Sequence, residues 1–327
     1  VLIRLGFRHR MAGPLYNLAG VLMWPDPTRS PVYHPDAVRV MERVATWLPQ
    51  EPAVWYRLGV ALAEAGQKDE AMAAYQRAVE LDPKLAPPWN GLGNVYSDLG
   101  QYEEAMAAYR RAIELDPKEA GFWNNLGNAY SDLGRHEEAI EAYRQAIKLD
   151  PKLAAPWNGL GNVYRAIGQH EEAMAAYRRA IELDPKDAYP WNGLGIVHAL
   201  RGEWERALDA HRRAVELEPE DGAYRVSLAS ALRALGQEEE AQAELERARL
   251  RIEREDEYSR ACFAALCGET EEALRLLEAA LQKRPGLRLR ARQDPDLRSL
   301  HGEPRFRELV GETGYEHRGP KPRPPAG

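Results

Sequence analysis

The chain has 327 residues, with 44 Lys and Arg against 51 Asp and Glu, which gives a formal net charge of -7 at pH 7. This acidic balance argues against nucleic-acid binding by the whole molecule, because proteins that bind phosphate backbones present a basic face. The four Phe and the abundance of Ala, Leu, Glu and Arg favour an all-helical protein.

Residues 1–24 pair basic residues with a weakly apolar run. We do not expect a secretory signal, because the run is short, contains Asn17 and has no small-residue cleavage site after it. Further on, Ala37, Met41, Val44 and Pro49 each lie 34 residues before an equivalent residue of the next segment. We therefore predict that residues 1–51 form a degenerate N-terminal repeat, or cap, with an enlarged loop at "WPDPTRSPVYHP".

A period of 34 residues then runs through the chain. With Trp taken as position 4, each of the five units that carry it has Leu at 7, Gly at 8, Ala at 20 and 27 and Pro at 32, and the first four have Tyr at 24. The Trp landmarks are Trp55, Trp89, Trp123, Trp157 and Trp191, and the Pro landmarks are Pro83, Pro117, Pro151, Pro185 and Pro219. Five full units occupy residues 52–85, 86–119, 120–153, 154–187 and 188–221, and a sixth, 222–255, lacks the Trp and the Pro.

The spacing predicts two helices in each unit. Positions 4, 7, 8 and 11 share one face of a first helix, and positions 20, 24 and 27 share one face of a second. A glycine recurs where the first helix should end in a left-handed residue, at Gly66, Gly100, Gly134, Gly168, Gly202 and Gly236. One hairpin cannot bury its apolar face alone, so the units must stack.

Residues 256–286 fit a shortened terminal repeat, and residues 287–314 fit a capping segment with Asp294 as N-cap and Pro295 at the first helical position. The Pro-rich residues 315–327 are predicted to be disordered.

These landmarks resemble the tetratricopeptide repeat, in a bacterial-type array. The resemblance implies an all-α, right-handed α-solenoid of stacked antiparallel helix pairs. It also implies that the first helices line a concave groove, mainly through positions 2, 5, 9, 12 and 13. The stretch from Tyr258 to Gly311 resembles a terminal segment of many bacterial repeat proteins, some of which carry NTPase or sensor domains.

Two of the repeats are nearly identical. Residues 86–119 and 154–187 differ at six of 34 positions, and three of the six, Pro87/Ala155, Ser97/Arg165 and Asp98/Ala166, fall at groove positions 2, 12 and 13. The chain therefore keeps its packing residues in both copies and changes residues that would face a partner in the groove. The alternative is that exposed positions drift freely after a recent duplication.

Position 5 holds an amide in four repeats and position 9 in three. Such a row resembles the asparagine ladder attached to protein O-glycosyltransferases, and implies binding of an extended peptide backbone. A carboxylate clamp is not expected, because the lysines fall in loops or second helices and Arg57 alone matches a clamp-like position. The candidate groove residues are Tyr56, Asn90, Asn94, Asp98, Asn124, Asn128, Asp132, Asn158, Asn162, Arg165 and Asn192.

Catalytic, cofactor and metal motifs are missing from the sequence. We expect His136 and His170 to lie on the surface. His198 and His211 replace Tyr at sites expected to be half-buried, where they could respond to pH. Cys262 and Cys267 are too few for a disulfide scaffold and are expected to be structural; they suggest a reducing, cytoplasmic location.

The sequence therefore predicts a non-enzymatic scaffold or adaptor that binds a protein or peptide, with no nucleic-acid or membrane partner. The alternative is the sensor or recognition part of a larger NTPase or other effector enzyme. Catalysis through His198 and His211 ranks last.

Overall fold

The computed structural model describes residues 36–311. The predicted N-terminal loop, most of the degenerate first repeat and the Pro-rich tail lie outside these residues. The described part is built of helices, and no strand forms within residues 36–311. This confirms the all-helical prediction.

The helices follow one another in pairs along most of the chain. They are α1 (Asp36–Trp47), α2 (Pro52–Glu64), α3 (Lys68–Leu81), α4 (Ala86–Asp98), α5 (Tyr102–Leu115), α6 (Ala120–Asp132), α7 (His136–Leu149), α8 (Ala155–Ala166), α9 (His170–Leu183), α10 (Tyr189–Leu200), α11 (Trp204–Leu217), α12 (Gly222–Ala234), α13 (Glu238–Arg249), α14 (Glu257–Leu266), α15 (Thr270–Lys283), α16 (Leu287–Gln293) and α17 (Pro304–Val310), with 3₁₀ turns at Ile252–Arg254 and Pro295–Leu300. No described helix has the length and apolar character needed to cross a bilayer.

Turn chemistry sets the end of each first helix. The six predicted glycines all adopt the left-handed conformation, with φ between 74° and 79°. A side chain in this region clashes with its own backbone, so glycine is the least costly residue. In the C-terminal segment Asp294 accepts a hydrogen bond from the Asp296 backbone N–H, which confirms it as an N-cap.

A tyrosine at position 24 holds the two helices of a repeat together. A Cβ added to Gly59 would lie 2.6 Å from the Tyr75 ring, and one added to Gly91 of the next repeat would lie equally close to it. The same arrangement recurs at Tyr143, between Gly127 and Gly159. Glycine at position 8 and glycine at position 6 of the following repeat therefore make room for one buried ring.

The described residues divide into two compact units, one that ends at Gly159 and one that begins at Leu160. Within the first unit α2 contacts α4 and α4 contacts α6, and within the second α10 contacts α12 and α12 contacts α14, whereas successive second helices contact one another less. Closer approach of the first helices places them on the inner side of each stack.

The C-terminal segment packs on the second unit. Its 3₁₀ turn Pro295–Leu300 contacts three successive first helices, α10, α12 and α14. Leu297, Leu300, Phe306 and Val310 are fully buried and join the same apolar core as the last repeats. The segment therefore covers part of the inner side of this unit.

Candidate functional site

The position-9 asparagines have an internal partner that the sequence did not reveal. In the first unit the Tyr109 hydroxyl donates to Asn94 Oδ1 over 2.9 Å, and the Tyr143 hydroxyl donates to Asn128 Oδ1 over 2.7 Å. Burial raises the pKa of Tyr109, so its phenol keeps its proton and stays a donor. Each amide oxygen is thus turned inward, while Asn94 and Asn128 remain exposed. The groups left to face a ligand are their N–H donors.

The position-5 amides differ from one repeat to the next. Asn90 and Asn124 are half-buried on the inner side of the first unit, whereas Asn158 is buried. In the second unit Asn192 Oδ1 lies 2.8 Å from His211 Nδ1, so the ring nitrogen donates to the amide oxygen. The predicted ladder is therefore not one uniform row.

Asn125 is a residue that the sequence analysis missed. It occupies position 6, where neighbouring repeats have glycine, and its Nδ2 donates to Asn90 Oδ1 over 3.0 Å and to Asn94 Oδ1 over 3.2 Å. Its own Oδ1 accepts from Asn124 Nδ2 over 3.3 Å. The substitution in "WNNLG" against "WNGLG" was the available signal. Asn125 joins Asn90, Asn94 and Asn124 into one amide cluster across two repeats.

The remaining candidates of the first unit, Tyr56, Asp98 and Asp132, lie on the successive first helices α2, α4 and α6. Tyr56 is half-buried, with its ring centre 6.1 Å from that of Tyr75. Asp98 is exposed and its Oδ2 lies 3.8 Å from Lys68 Nζ, so a second-helix lysine offsets its charge. Asp132 is half-buried. The amide cluster itself is therefore neutral, and two carboxylates lie on the same first helices.

Two candidates of the second unit lie beside Tyr177. Its hydroxyl donates to Asn162 Oδ1 over 2.8 Å, and Asn162 Nδ2 donates to the Tyr189 hydroxyl over 2.9 Å. Arg165, predicted as a groove residue, is only 4% exposed, and its Nε lies 3.4 Å from the Tyr177 hydroxyl. These four side chains form one connected group.

The histidines depart from expectation. His136 is buried, so the prediction of a surface position was wrong. His198 and His211 are buried rather than half-buried. Burial, assisted by the charge of His198, lowers the pKa of His211 to about 3. His211 is therefore neutral around pH 7 and does not respond to pH there.

Among the described residues, Cys262, Asp294 and Asp296 bring potential metal-ligand atoms within 4.8 Å of one another. Burial and the nearby charge of Asp294 raise the pKa of Asp296 to about 8, and burial raises the pKa of the Cys262 thiol. Arg290 Nε lies 3.7 Å from Asp294 Oδ2. The Arg290 guanidinium and the raised pKa values of Cys262 and Asp296 both reduce the negative charge that this cluster buries.

Comparisons with known proteins agree with this architecture. Residues 89–294, more than half of the chain, match the family described as Cilia and flagella-associated protein 70 C-terminal domain, and residues 52–85 match the tetratricopeptide repeat. No curated protein matches the sequence significantly.

Among solved structures, the thermophilic TPR protein TTC0263 of Thermus thermophilus is 26% identical; the match covers 55% of this chain and 98% of that one, with a TM-score of 0.50. Cut9–Hcn1, an APC/C hetero-tetramer, is 19% identical over 85% of this chain and 52% of that one, with a TM-score of 0.58. PilF of Pseudomonas aeruginosa is 18% identical over 59% of this chain and 88% of that one, with a TM-score of 0.53. The last two likenesses concern the fold alone.

The 34-residue period, the paired helices and the match over residues 89–294 lead to one conclusion: the chain belongs to the tetratricopeptide-repeat proteins, in the family described as Cilia and flagella-associated protein 70 C-terminal domain.

Proposed function

We propose that this protein is a non-enzymatic scaffold that binds an extended segment of a partner protein on the inner side of its first unit. Tetratricopeptide arrays serve generally as protein-interaction scaffolds, and this chain belongs to them. A cytoplasmic location and the absence of nucleic-acid and membrane partners are part of the proposal. The observation that carries it is the fixed orientation of the Asn94 and Asn128 amides.

Orientation matters because an amide can present either a donor or an acceptor. The hydroxyls of Tyr109 and Tyr143 occupy the oxygens, which leaves exposed N–H groups in two successive repeats. An extended chain offers backbone carbonyls along one side, repeating every second residue. Neutral N–H donors held in this orientation favour binding of a peptide backbone, irrespective of the peptide's side chains.

The amide cluster around Asn125 adds rigidity to this surface. Both Asn90 and Asn94 direct their oxygens to Asn125, so their own N–H groups are left for a ligand. Side chains already fixed by hydrogen bonds lose less conformational entropy on binding. Asn90, Asn94 and Asn128 are therefore the proposed backbone-binding residues, with Asn124, Tyr56, Asp98 and Asp132 beside them.

The test removes the donors and keeps the internal acceptors. In Asn94→Asp/Asn128→Asp each new carboxylate oxygen still accepts from its tyrosine, but faces the ligand without an N–H. Peptides selected from a random 12-residue display library against the wild type provide the probe. Two lost hydrogen bonds should weaken binding roughly 10- to 100-fold by fluorescence anisotropy.

The matched control is Gln76→Glu/Gln145→Glu, which adds the same charge on second helices of the same unit. We expect its affinities to stay within about twofold of the wild type, as for surface changes away from a site. Circular dichroism checks that all proteins remain equally helical. Unchanged affinity in the Asn94/Asn128 variant would remove this surface from the proposed function.

A further inference from the structure

Three side chains that can bind a metal meet where the C-terminal segment packs on the last repeat. Cys262 lies on α14, whereas Asp294 and Asp296 lie at the start of the 3₁₀ turn Pro295–Leu300. All three residues are buried, with only 3–8% of each exposed. Their thiol and carboxylate ligand atoms all lie within 4.8 Å of one another. Residues 262 and 294 are far apart in the sequence, so no short spacing motif records this cluster.

The Cys262 thiol is a buried group without a hydrogen-bond partner. It is a free cysteine, 5% exposed, and it forms no hydrogen bond within the described residues. Buried free cysteines usually behave as small hydrophobic side chains. The Sγ atom of Cys262 instead lies beside two carboxylate groups, at the wall of a cleft. This arrangement indicates a role for the thiol other than apolar packing.

Hydrogen bonds fix the orientation of one of the carboxylates. The Tyr258 hydroxyl donates to Asp294 Oδ2 over 2.9 Å, and the Asp296 backbone N–H donates to Asp294 Oδ1 over 3.1 Å. Each of these oxygens has a further lone pair that can bind a cation. Carboxylates that bind metals are commonly held by such outer hydrogen bonds, which orient them and strengthen metal binding.

The charges around the cluster balance when a divalent cation is added. The ionised forms of Cys262, Asp294 and Asp296 carry three negative charges. Arg290 contributes one positive charge, with its Nε 3.7 Å from Asp294 Oδ2. A divalent cation supplies the two positive charges that are missing from this sum, and the protons that it displaces from the ligands pass to solvent. Arg290 therefore completes the neutrality of the loaded site.

The ligand types and their spacing favour Zn²⁺. Zinc binds sulfur at about 2.3 Å and carboxylate oxygen at about 2.0–2.2 Å, so neighbouring ligands in its tetrahedron lie roughly 3.4–3.6 Å apart. Because the three atoms already lie within 4.8 Å of one another, side-chain shifts of about 1 Å produce this spacing. A thiolate is a poor ligand for Mg²⁺ and Ca²⁺, which prefer oxygen.

The cleft beside the cluster gives an ion a path of entry. Its volume is about 310 Å³, which includes open solvent, and Cys262, Asp294 and Asp296 all line it. It therefore also has room for a water molecule as the fourth ligand.

We propose that Cys262, Asp294 and Asp296 form a Zn²⁺ site with water as the fourth ligand. The ion links α14 to the C-terminal segment and so stabilises the docking of that segment on the last repeat. This site is independent of peptide binding on the first unit, and its test needs no partner.

The experiment uses the full chain, freed of metal by chelation and dialysis. Titration with Co²⁺ is followed by the near-ultraviolet charge-transfer absorption of a cobalt–thiolate bond, and Zn²⁺ affinity is measured by isothermal titration calorimetry. The proteins are the wild type, Cys262→Ser, Asp296→Asn and the matched control Cys267→Ser. Cys267 is the other cysteine of the chain and lies outside the cluster. Circular dichroism without metal checks that all four proteins are equally helical.

We expect the wild type and Cys267→Ser to bind one Co²⁺ per chain with the charge-transfer absorption, and Zn²⁺ to raise the Tm of both. Cys262→Ser should lose the absorption. It and Asp296→Asn should bind Zn²⁺ more than about 100-fold more weakly, since loss of an outer hydrogen-bond partner alone costs roughly 10- to 100-fold. Asp296→Asn keeps the thiol and the shape of the carboxylate, so it tests the site even where Cys262→Ser does not fold.

Three results would overturn the inference. The first is a wild type that shows no cobalt–thiolate absorption at saturating Co²⁺. The second is an absorption that persists in Cys262→Ser, which would place the metal at another residue. The third is unchanged Zn²⁺ affinity in Asp296→Asn, which would show that this carboxylate is not a ligand.

Discussion

At the scale of single residues, one polar pair can replace another without changing the packing. Tyr109, Tyr143 and Tyr177 each donate to the asparagine at position 9 of their own repeat. In the fifth repeat His211 replaces the tyrosine and position 9 is Ile196, so the ring turns to Asn192 at position 5 instead. A Cβ on Gly195 would meet the His211 ring at 2.6 Å, just as the other glycines meet tyrosine. The ring at position 24 therefore packs against the same glycine in each case, and only its hydrogen-bond partner changes.

His211 should make the protein sensitive to acid. Its pKa is about 3 in the folded state, against an ordinary value of 6.5, because burial and the charge of His198 disfavour the protonated ring. The unfolded chain therefore takes up a proton first, and stability is lost as the pH falls from about 6.5 towards 3. The slope from one such group is at most about 1.4 kcal/mol per pH unit.

Denaturant unfolding at pH 7, 5.5 and 4.5 measures this loss in the wild type and in His211→Tyr, which restores the residue of the other repeats. We expect the variant to lose less stability between pH 7 and 4.5 than the wild type, whatever its stability at pH 7. Parallel pH profiles would contradict the assignment to His211.

At the scale of elements, glycines act in two distinct ways. Gly66 and its equivalents end the first helices through their positive φ. Gly93 lies inside a helix, and its function is close approach, since a Cβ there would lie 2.4 Å from the Tyr109 ring. The cost of glycine in a helix is therefore offset by the packing of a buried aromatic ring.

Gly93→Ala should lower the free energy of unfolding by about 1–3 kcal/mol, because the ring must shift in a packed core. Gly302→Ala is the control: a Cβ at Gly302 meets nothing within 4 Å. That variant should be neutral or slightly stabilising, by up to about 1 kcal/mol. Chemical denaturation of both variants measures the difference in the free energy of unfolding. Equal effects would show that a contact between the new Cβ and the Tyr109 ring does not determine the stability of Gly93→Ala.

At the scale of the whole molecule, the C-terminal segment belongs to the core of the second unit. Leu297 is fully buried in a cluster that also contains residues of the last repeats, such as Leu232 and Leu277. The Tyr258 hydroxyl donates to Asp294 Oδ2 over 2.9 Å, which fixes the start of the 3₁₀ turn. A segment anchored in this way stabilises the end of the array, where no further repeat covers the apolar surface within the described residues.

Leu297→Ala should therefore destabilise the second unit by about 2–5 kcal/mol, the usual range for a buried leucine. Leu250→Ala makes the same chemical change at a side chain that is 80% exposed. It should change the free energy of unfolding by no more than about 0.5 kcal/mol. Denaturant unfolding followed by circular dichroism distinguishes the two, and a small effect of Leu297→Ala would mean that the segment docks only weakly.

The sequence by itself determined the period, the helix pairs and the glycines that end the first helices. These features act within one repeat or between neighbours, so the 34-residue spacing of Trp, Gly and Pro records them directly. The candidate groove residues also follow from their positions in the repeat. Their roles as ligand-binding residues remain predictions.

Only the tertiary structure decided which groups those side chains meet. In the folded chain the Asn94 oxygen faces Tyr109, and Arg165 and His136 are buried. The side chains of Cys262, Asp294 and Asp296 lie close together. These outcomes depend on how helices stack and where the C-terminal segment docks, and a repeat period contains neither. A period specifies which face of a helix a residue occupies, whereas its partners and burial are set by the chain that packs against that face.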